Sequence, residues 1–348
     1  MHDVAREAGV STATVSRVVN GASVRPATAR AVRRAMRDLG YVPNQVARGL
    51  VTGRSDVVGV LVPDLVGPLN AAVARGVEDA LEARGMHAVV VTDHREPERE
   101  RARLGMLVAR RVDGLVLIGS QLPDAEILDA IGGTPVVLVG AEHERTELPE
   151  VRVDNRAGIA AALRILADHG HRDIAHLAGP RRDGRERLAA LRELAPQHGL
   201  RLIAVAEADF SEAGGLDAGR QLLRRGGFSA VLCSNDRTAV GLYAAARERA
   251  LRLPHDLSVI GFDDLPWSAY LDPALTTVRQ PSREMGRVAA ERILEPDAGD
   301  GWQGERTLVP EPVQRASVAF FPLADRRATR HDSDDRPQPV ALVKEEPA

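Results

Sequence analysis

The amino-acid sequence predicts a small all-α N-terminal headpiece ahead of an α/β core made of two doubly wound parallel-sheet subdomains. Helical apolar periodicity with tight turn signals marks the first stretch. Positive charge sets the same stretch apart: up to Ser55, nine arginines stand against Asp3, Glu7 and Asp38, a net of +6 in a chain whose total is −3. From Asp56 onward, apolar runs of strand length alternate with helix-length segments, and that rhythm occurs twice in tandem.

The segment from Asp3 to Asn20, DVAREAGVSTATVSRVVN, reads as two short helices folded across a tight turn. Val4, Ala5 and Ala8 form one apolar face, and Gly9 stands where the chain needs a left-handed residue to leave the first helix. Val10 plugs the space between the helices. Ser11 caps the second, Thr12 to Asn20, which turns Val15, Val18 and Val19 inward. That leaves Thr12, Ala13, Ser16 and Arg17 on or near the outer side, a face small enough to approach base edges in a major groove. Taken alone, these residues fit a generic two-helix hairpin with a solvated outer face equally well. The next helix, Thr28 to Leu39 behind Pro26, tips the balance toward a DNA-binding helix-turn-helix. Its inner face is Ala31, Val32, Ala35, Met36 and Leu39, and Arg30, Arg33, Arg34 and Arg37 lie on the other sides. The first helix opens with Met1-His2-Asp3 and no capping hydroxyl, which predicts a frayed first turn or a natural start further upstream.

In the core, Val57 to Val62, Ala88 to Thr92, Asp113 to Ile118 and Pro135 to Val139 are strands, with helices over Asn70 to Arg84 and Glu96 to Arg111. The second half continues with helices at 158–169, 185–198, 216–225 and 239–249, and strands at 174–178, 202–206, 230–233 and 258–262. Continuous apolar strands separated by helices predict parallel sheets covered on both faces. Small molecules bind such sheets beyond the carboxyl ends of the strands, so a cleft between the halves is the expected ligand site.

The segments DVAREAGVSTATVSRVVNG, TARAVRRAMRDLGYVPN and QVARGL resemble the headpiece and hinge of the lactose/galactose repressor (LacI/GalR) family, and the resemblance runs to about Val318. It implies a helix-turn-helix headpiece over 1–43, a hinge helix and linker over 44–55, and a periplasmic-binding-protein-like core over 56–321. That core would divide into an N-subdomain (56–153 and 280–308) and a C-subdomain (154–279 and 309–321), with a closing strand near Val313 to Val318; the charged, Pro-containing composition of 322–348, without heptads, itself predicts a disordered tail. The resemblance makes Thr12, Ala13 and Arg17 base-facing, gives Thr14 and Ser16 phosphate contacts, and adds Asn20 to the DNA-binding set. In the hinge, Leu50 matches the leucine that wedges into a minor-groove step, and Ala47 the small residue beside it. Gly49 lowers helix propensity by about 1 kcal/mol relative to Ala, so the hinge is expected to fold only on DNA.

For the cleft, the resemblance assigns effector contacts to Arg187, Asn235 and Asp263, and a stacking role to Phe210. Asp236 and Asp264 read as helix N-caps instead. Where many relatives carry aromatics, this chain has Gly67-Pro68-Leu69-Asn70 and Ala190-Leu191. The expected pocket loses stacking surface and gains the Asn70 amide, which favours a small polyol, a furanoside or another metabolite over a common hexose.

The remaining expectations are a homodimer on a palindromic operator, without the leucine-heptad helix of some relatives, and a carbohydrate-like effector that closes the cleft and changes hinge spacing. No cofactor or metal is expected. His169 and His171 flank Gly170 at a helix end, where cations favour the dipole. The single cysteine, Cys233, excludes an internal disulfide, and no apolar run spans a bilayer, so a cytoplasmic, nucleoid-associated protein is expected. Two other classes share the core fold. A Rossmann-like enzyme would need a glycine-rich fingerprint that VVGVLVPDLVGP lacks, and a transport-type solute-binding protein would carry a signal peptide and no headpiece.

Overall fold

The computed structural model describes residues 1–19, 22–41, 54–143, 146–295 and 304–321. Asn20, Ala47, Leu50, most of the hinge and the tail lie outside the described residues.

The headpiece contains α1 (His2–Glu7), α2 (Thr12–Val19) and α3 (Pro26–Asp38). Val4, Ala5, Val15, Val18, Val32 and Ala35 form its buried core, with Val10 packed against them. Gly9 takes φ +64°, a left-handed conformation that costs glycine nothing. Ser11 caps α2, its Oγ accepting the Thr14 N–H at 3.2 Å. Helix α1 begins at His2 with no side-chain cap, and the Ala5 N–H donates to the Met1 carbonyl. Leu39, expected inward, is 47% exposed. The reason is the helix end: Gly40 is left-handed, its N–H donates to the Arg37 carbonyl, and the Tyr41 N–H donates to that of Met36. This Schellman closure brings Tyr41 back over Met36, so Tyr41 covers the core where Leu39 was expected.

The core begins with β1 (Val57–Val62), α4 (Pro68–Glu82), β2 (His87–Thr92), α5 (Pro97–Ala109), β3 (Gly114–Ile118), α6 (Asp124–Ile131), β4 (Val136–Val139) and β5 (Glu150–Val153). It continues with α7 (Asn155–Asp168), β6 (Asp173–Ala178), α8 (Arg182–Leu194), β7 (Arg201–Glu207), α9 (Glu212–Arg225), β8 (Ala230–Cys233), α10 (Asp236–Glu248) and β9 (Ser258–Ile260). Strand β10 (Thr277–Arg279), α11 (Ser282–Leu294), β11 (Glu305–Leu308) and β12 (Glu311–Val313) complete it.

One sheet has the order β11-β5-β4-β3-β1-β2 and the other β7-β6-β8-β9, both parallel throughout, while β10 and β12 pair antiparallel. Strand β12 ends at Val313. Beyond it the chain lies beside β9, where the Val259 N–H donates to the Ser317 carbonyl, so of the strand expected at 313–318 only Val313 is in a strand and the rest is irregular. The helix expected to reach His198 is α8 followed by a 3-10 turn, Ala195–His198, because Pro196 cannot continue the ladder.

Connections between the two sheets run from β5 to α7, from β10 to α11 and from β11 to β12. Helix α11 therefore packs on the first sheet, burying Met285, Ala289, Ala290 and Ile293 against Val73 and Val77 of α4. Glycine makes this approach possible: a Cβ on Gly76 would lie 1.9 Å from the Arg283 carbonyl oxygen, and one on Gly286 1.9 Å from that of Val73.

Candidate functional site

Carboxyl ends of strands from both sheets open onto one cavity of about 150 Å³. Asn70, Arg187, Phe210, Asn235 and Asp263 all line it. Parallel strands deliver their carboxyl ends to the same edge, so the loops after β7, β8 and β9 meet there.

Arg187, on α8, is buried. Its Nε donates to Asn155 Oδ1 at 2.8 Å, its Nη1 to the Ser234 carbonyl, and its guanidinium lies 3.7 Å from the Phe262 ring centroid. Asp263 follows β9 with φ +115°, a strained conformation for a non-glycine residue. Gln280 Nε2 donates to its Oδ1, and Arg187 Nη1 stands 3.9 Å from the same oxygen. Burial pushes the Asp263 carboxyl up to about 7 against the opposing pull of Arg187.

Asn235, not Asp236, is the N-cap of α10. Its Oδ1 accepts from the Thr238 N–H at 2.8 Å and from the Thr238 hydroxyl, and its Nδ2 donates to the Phe210 carbonyl at 3.2 Å. Asp236 instead accepts from the Leu265 N–H, Ser268 and Thr277, tying the loop after β9 to β10. Burial raises its carboxyl to about 6. Asp264 caps no helix either. It accepts from Arg279 at 2.8 Å and Arg315 at 2.6 Å. In both cases a long-range donor set outweighs the local cap that the sequence suggested.

Asn70 sits in the first turn of α4 with its Nδ2 donating to the Asp64 carbonyl at 3.4 Å. Phe210 has φ +67°, and the Arg181 guanidinium lies 4.9 Å from its ring centroid. Ala190 and Leu191, expected on the other wall, are buried in the apolar core under the second sheet and do not line the cavity. Only the segment at Gly67–Asn70 therefore changes the wall. His169 and His171 are engaged elsewhere: His169 Nδ1 bonds the Ile165 carbonyl, and His171 Nδ1 the Ser229 hydroxyl.

Sequence reasoning missed several charged groups at the cavity. Arg95, Glu142, Arg152, Arg181, Asp183 and Arg237 line it, and Glu150 and Arg182 stand behind. Arg152 of β5 donates to Asp183 and Glu186 of α8, and Arg182 of α8 donates to Glu150 of β5 at 3.2 Å. The two sheets are thus joined by reciprocal ion pairs. Burial raises Glu150 to about 7 despite Arg152. The signal was visible in EVRV, charges alternating inside a strand-length run, but nothing local said those charges would be buried.

On α2, Ala13 and Arg17 are exposed, and Thr12, Thr14 and Ser16 are half-buried. The Thr14 hydroxyl is engaged with Ser11 Oγ at 3.0 Å.

This combination, a basic helix-turn-helix unit joined to a two-sheet core with a ligand-sized cleft, defines a class of metabolite-responsive DNA-binding regulator. Residues 1–44 match the family of bacterial regulatory proteins of the lacI type, and residues 163–318 match the periplasmic binding protein-like domain. The chain is 35% identical to the HTH-type transcriptional repressor PurR of Erwinia tasmaniensis, over 93% of this chain and 98% of that one. It is 33% identical to the HTH-type transcriptional repressor CytR of Escherichia coli K12, over 92% and 97%. Among solved structures, the lac repressor dimer bound to operator and the anti-inducer ONPF superposes with a TM-score of 0.83 at 31% identity, over 91% of this chain and 98% of that one. The chain belongs to the LacI family of transcriptional regulators, and it is a DNA-binding regulator of transcription. No helix among the described residues is long and apolar enough to cross a membrane.

Proposed function

We propose that this regulator is a cytoplasmic repressor that binds a palindromic operator as a homodimer, and that a small polyhydroxylated metabolite in the cleft sets its operator affinity. The observation that carries the reading is the convergence of Arg187, Asn235 and Asp263 from three separate elements on one cavity, with Asn70 across from them. Such a set pairs hydroxyl groups with donors and acceptors at once. The cavity is small, which suits a ligand of monosaccharide size. Support also comes from the transcriptional regulator CelR, solved as a cellobiose complex, which superposes with a TM-score of 0.68 at 33% identity.

At the other end, Thr12, Ala13 and Arg17 are assigned to base edges, Thr14 and Ser16 to phosphates, and Asn20 to the helix end. Leu50 and Ala47 are assigned to the minor groove. A two-fold axis places one headpiece on each half-site. Ligand that prefers one arrangement of the two subdomains shifts the population of DNA-competent dimers. The proposal assigns the chain no catalytic role.

Selection from random DNA with the full chain tests this. A palindromic consensus is expected, bound with an affinity that falls steeply with salt, and at least one polyol or sugar should change that affinity. A chain that enriches no palindrome with or without metabolites overturns the proposal.

A further inference from the structure

The strongest unexplained feature of the cleft is an imbalance of charge at its mouth. Arg95, in the loop after β2, and Arg181, just ahead of α8, come from opposite walls and converge on one oxygen, Glu142 Oε1, at 3.4 and 3.2 Å. A single carboxylate cannot neutralise two guanidinium groups. Burial, and after it the neighbouring Arg95, lower the pKa of Arg181 against the opposing pull of Glu142, Asp183 and Asp64. Asp64 also lines the cavity, its carboxylate accepting from the Gly67 N–H at 2.6 Å, and the remaining charges have partners of their own. Arg237 is held by both oxygens of Glu212, Asp183 accepts from Arg152 and Asn155, and Asp263 accepts from Gln280. A second observation points the same way. Arg152, 3% exposed and lining the same cavity, has a nitrogen, Nη1, with no hydrogen-bond partner among the described residues, although Glu150 Oε1 stands 3.7 Å from it. Phe210 is the one aromatic among the described lining residues, and the Arg181 guanidinium lies over its ring. A neutral sugar therefore lacks a free aromatic wall to stack on.

We propose that the effector carries an anionic group, a carboxylate or a phosphate, on a hydroxylated carbon skeleton, and that Arg95 and Arg181 hold this group between the two walls of the cleft. The inference rests on the reading of the cavity as the effector site. The anion acts as the missing counter-ion, and because its two partners belong to different sheets, binding it draws the walls together. Guanidinium suits both carboxylate and phosphate through paired N–H donors.

The test is calorimetric titration of the full chain with matched ligands: D-glucose, D-gluconate and D-glucose 6-phosphate, then D-ribose and D-ribose 5-phosphate, with operator binding measured in parallel. At least one anionic member is expected to bind tenfold or more tightly than its neutral parent, and the carboxylate and phosphate arms separate the two sources. Arg95→Gln and Arg181→Gln, both at side chains about one-third exposed, should remove that preference. Glu142→Gln, which removes the competing carboxylate, should strengthen it, and circular dichroism establishes that each variant folds. Neutral members that bind as well as the anions and alter operator affinity would overturn the inference and leave the sensor reading standing. So would arginine variants that keep the preference. If neither series binds or alters operator affinity, both fall.

Discussion

The headpiece and the cleft are stabilised by opposite materials. The headpiece buries six small residues, four of them valine and two alanine, and keeps its arginines outside. The cleft is walled by charged side chains, several of them buried, whose stability depends on one another's presence. Apolar burial contributes locally and in small amounts, so damage to the headpiece core is confined to it. A buried charge that loses its partner keeps its desolvation cost, so damage in the cleft is large and spreads.

The largest effect is expected at Arg187→Met. It strands Asp263 and removes donors to Asn155 and the Ser234 carbonyl. Chemical denaturation should show the core losing about 3–5 kcal/mol, and a loss below about 1 kcal/mol would break the contrast. Val15→Ala, at a fully buried position, should cost the headpiece about 2 kcal/mol. A unit of that size is marginal, so operator binding should fall while effector titration and core unfolding stay unchanged. Arg17→Ala should leave the fold alone and weaken operator binding by about tenfold to a hundredfold. The smallest of the stability effects is Gly9→Ala. A Cβ there meets nothing within 4 Å, so the cost is the left-handed backbone alone, about 1 kcal/mol.

A pH titration sharpens the comparison further. Burial lowers His171 and His176 to about 4, below the ordinary 6.5, so they stabilise the folded state above that ordinary value and the contribution is lost as pH falls toward 4. Asp263 and Glu150, raised to about 7, work in the reverse sense. Their protonated forms favour folding at low pH, and that contribution disappears as pH rises through 7. Asp236, raised to about 6, adds to the second set, so between pH 4.5 and 6 three acids oppose two histidines and core stability should fall gently as pH rises. Asp263→Asn removes one of the acids, so its core should show a flatter pH dependence than the parent chain over the same range.

Much of the molecule was legible in advance. Gly9, Ser11 and the valines of α2 specify their turn, cap and core from neighbours a few residues away. Strand β5 was not legible, because Glu150 and Arg152 interrupt the apolar pattern and become tolerable only when α8 supplies their partners. Asp236 and Asp264 misled for a related reason. An Asp after a strand has a local use as a cap, and here distant donors claimed both.

Periodicity, charge placement and turn residues, all local quantities, were enough by themselves to establish the headpiece and most of the order of strands and helices, while the family resemblance supplied Arg187, Phe210, Asn235 and Asp263 for the cleft. What only the tertiary structure decided is which charge faces which: that Arg95 and Arg181 share Glu142, that Asn235 rather than Asp236 caps α10, and that Ala190 and Leu191 stay in the core. The two arginines reach Glu142 from about forty positions away on either side. The energies of these pairings depend on distance and burial, which exist only once the sheets have brought the residues together.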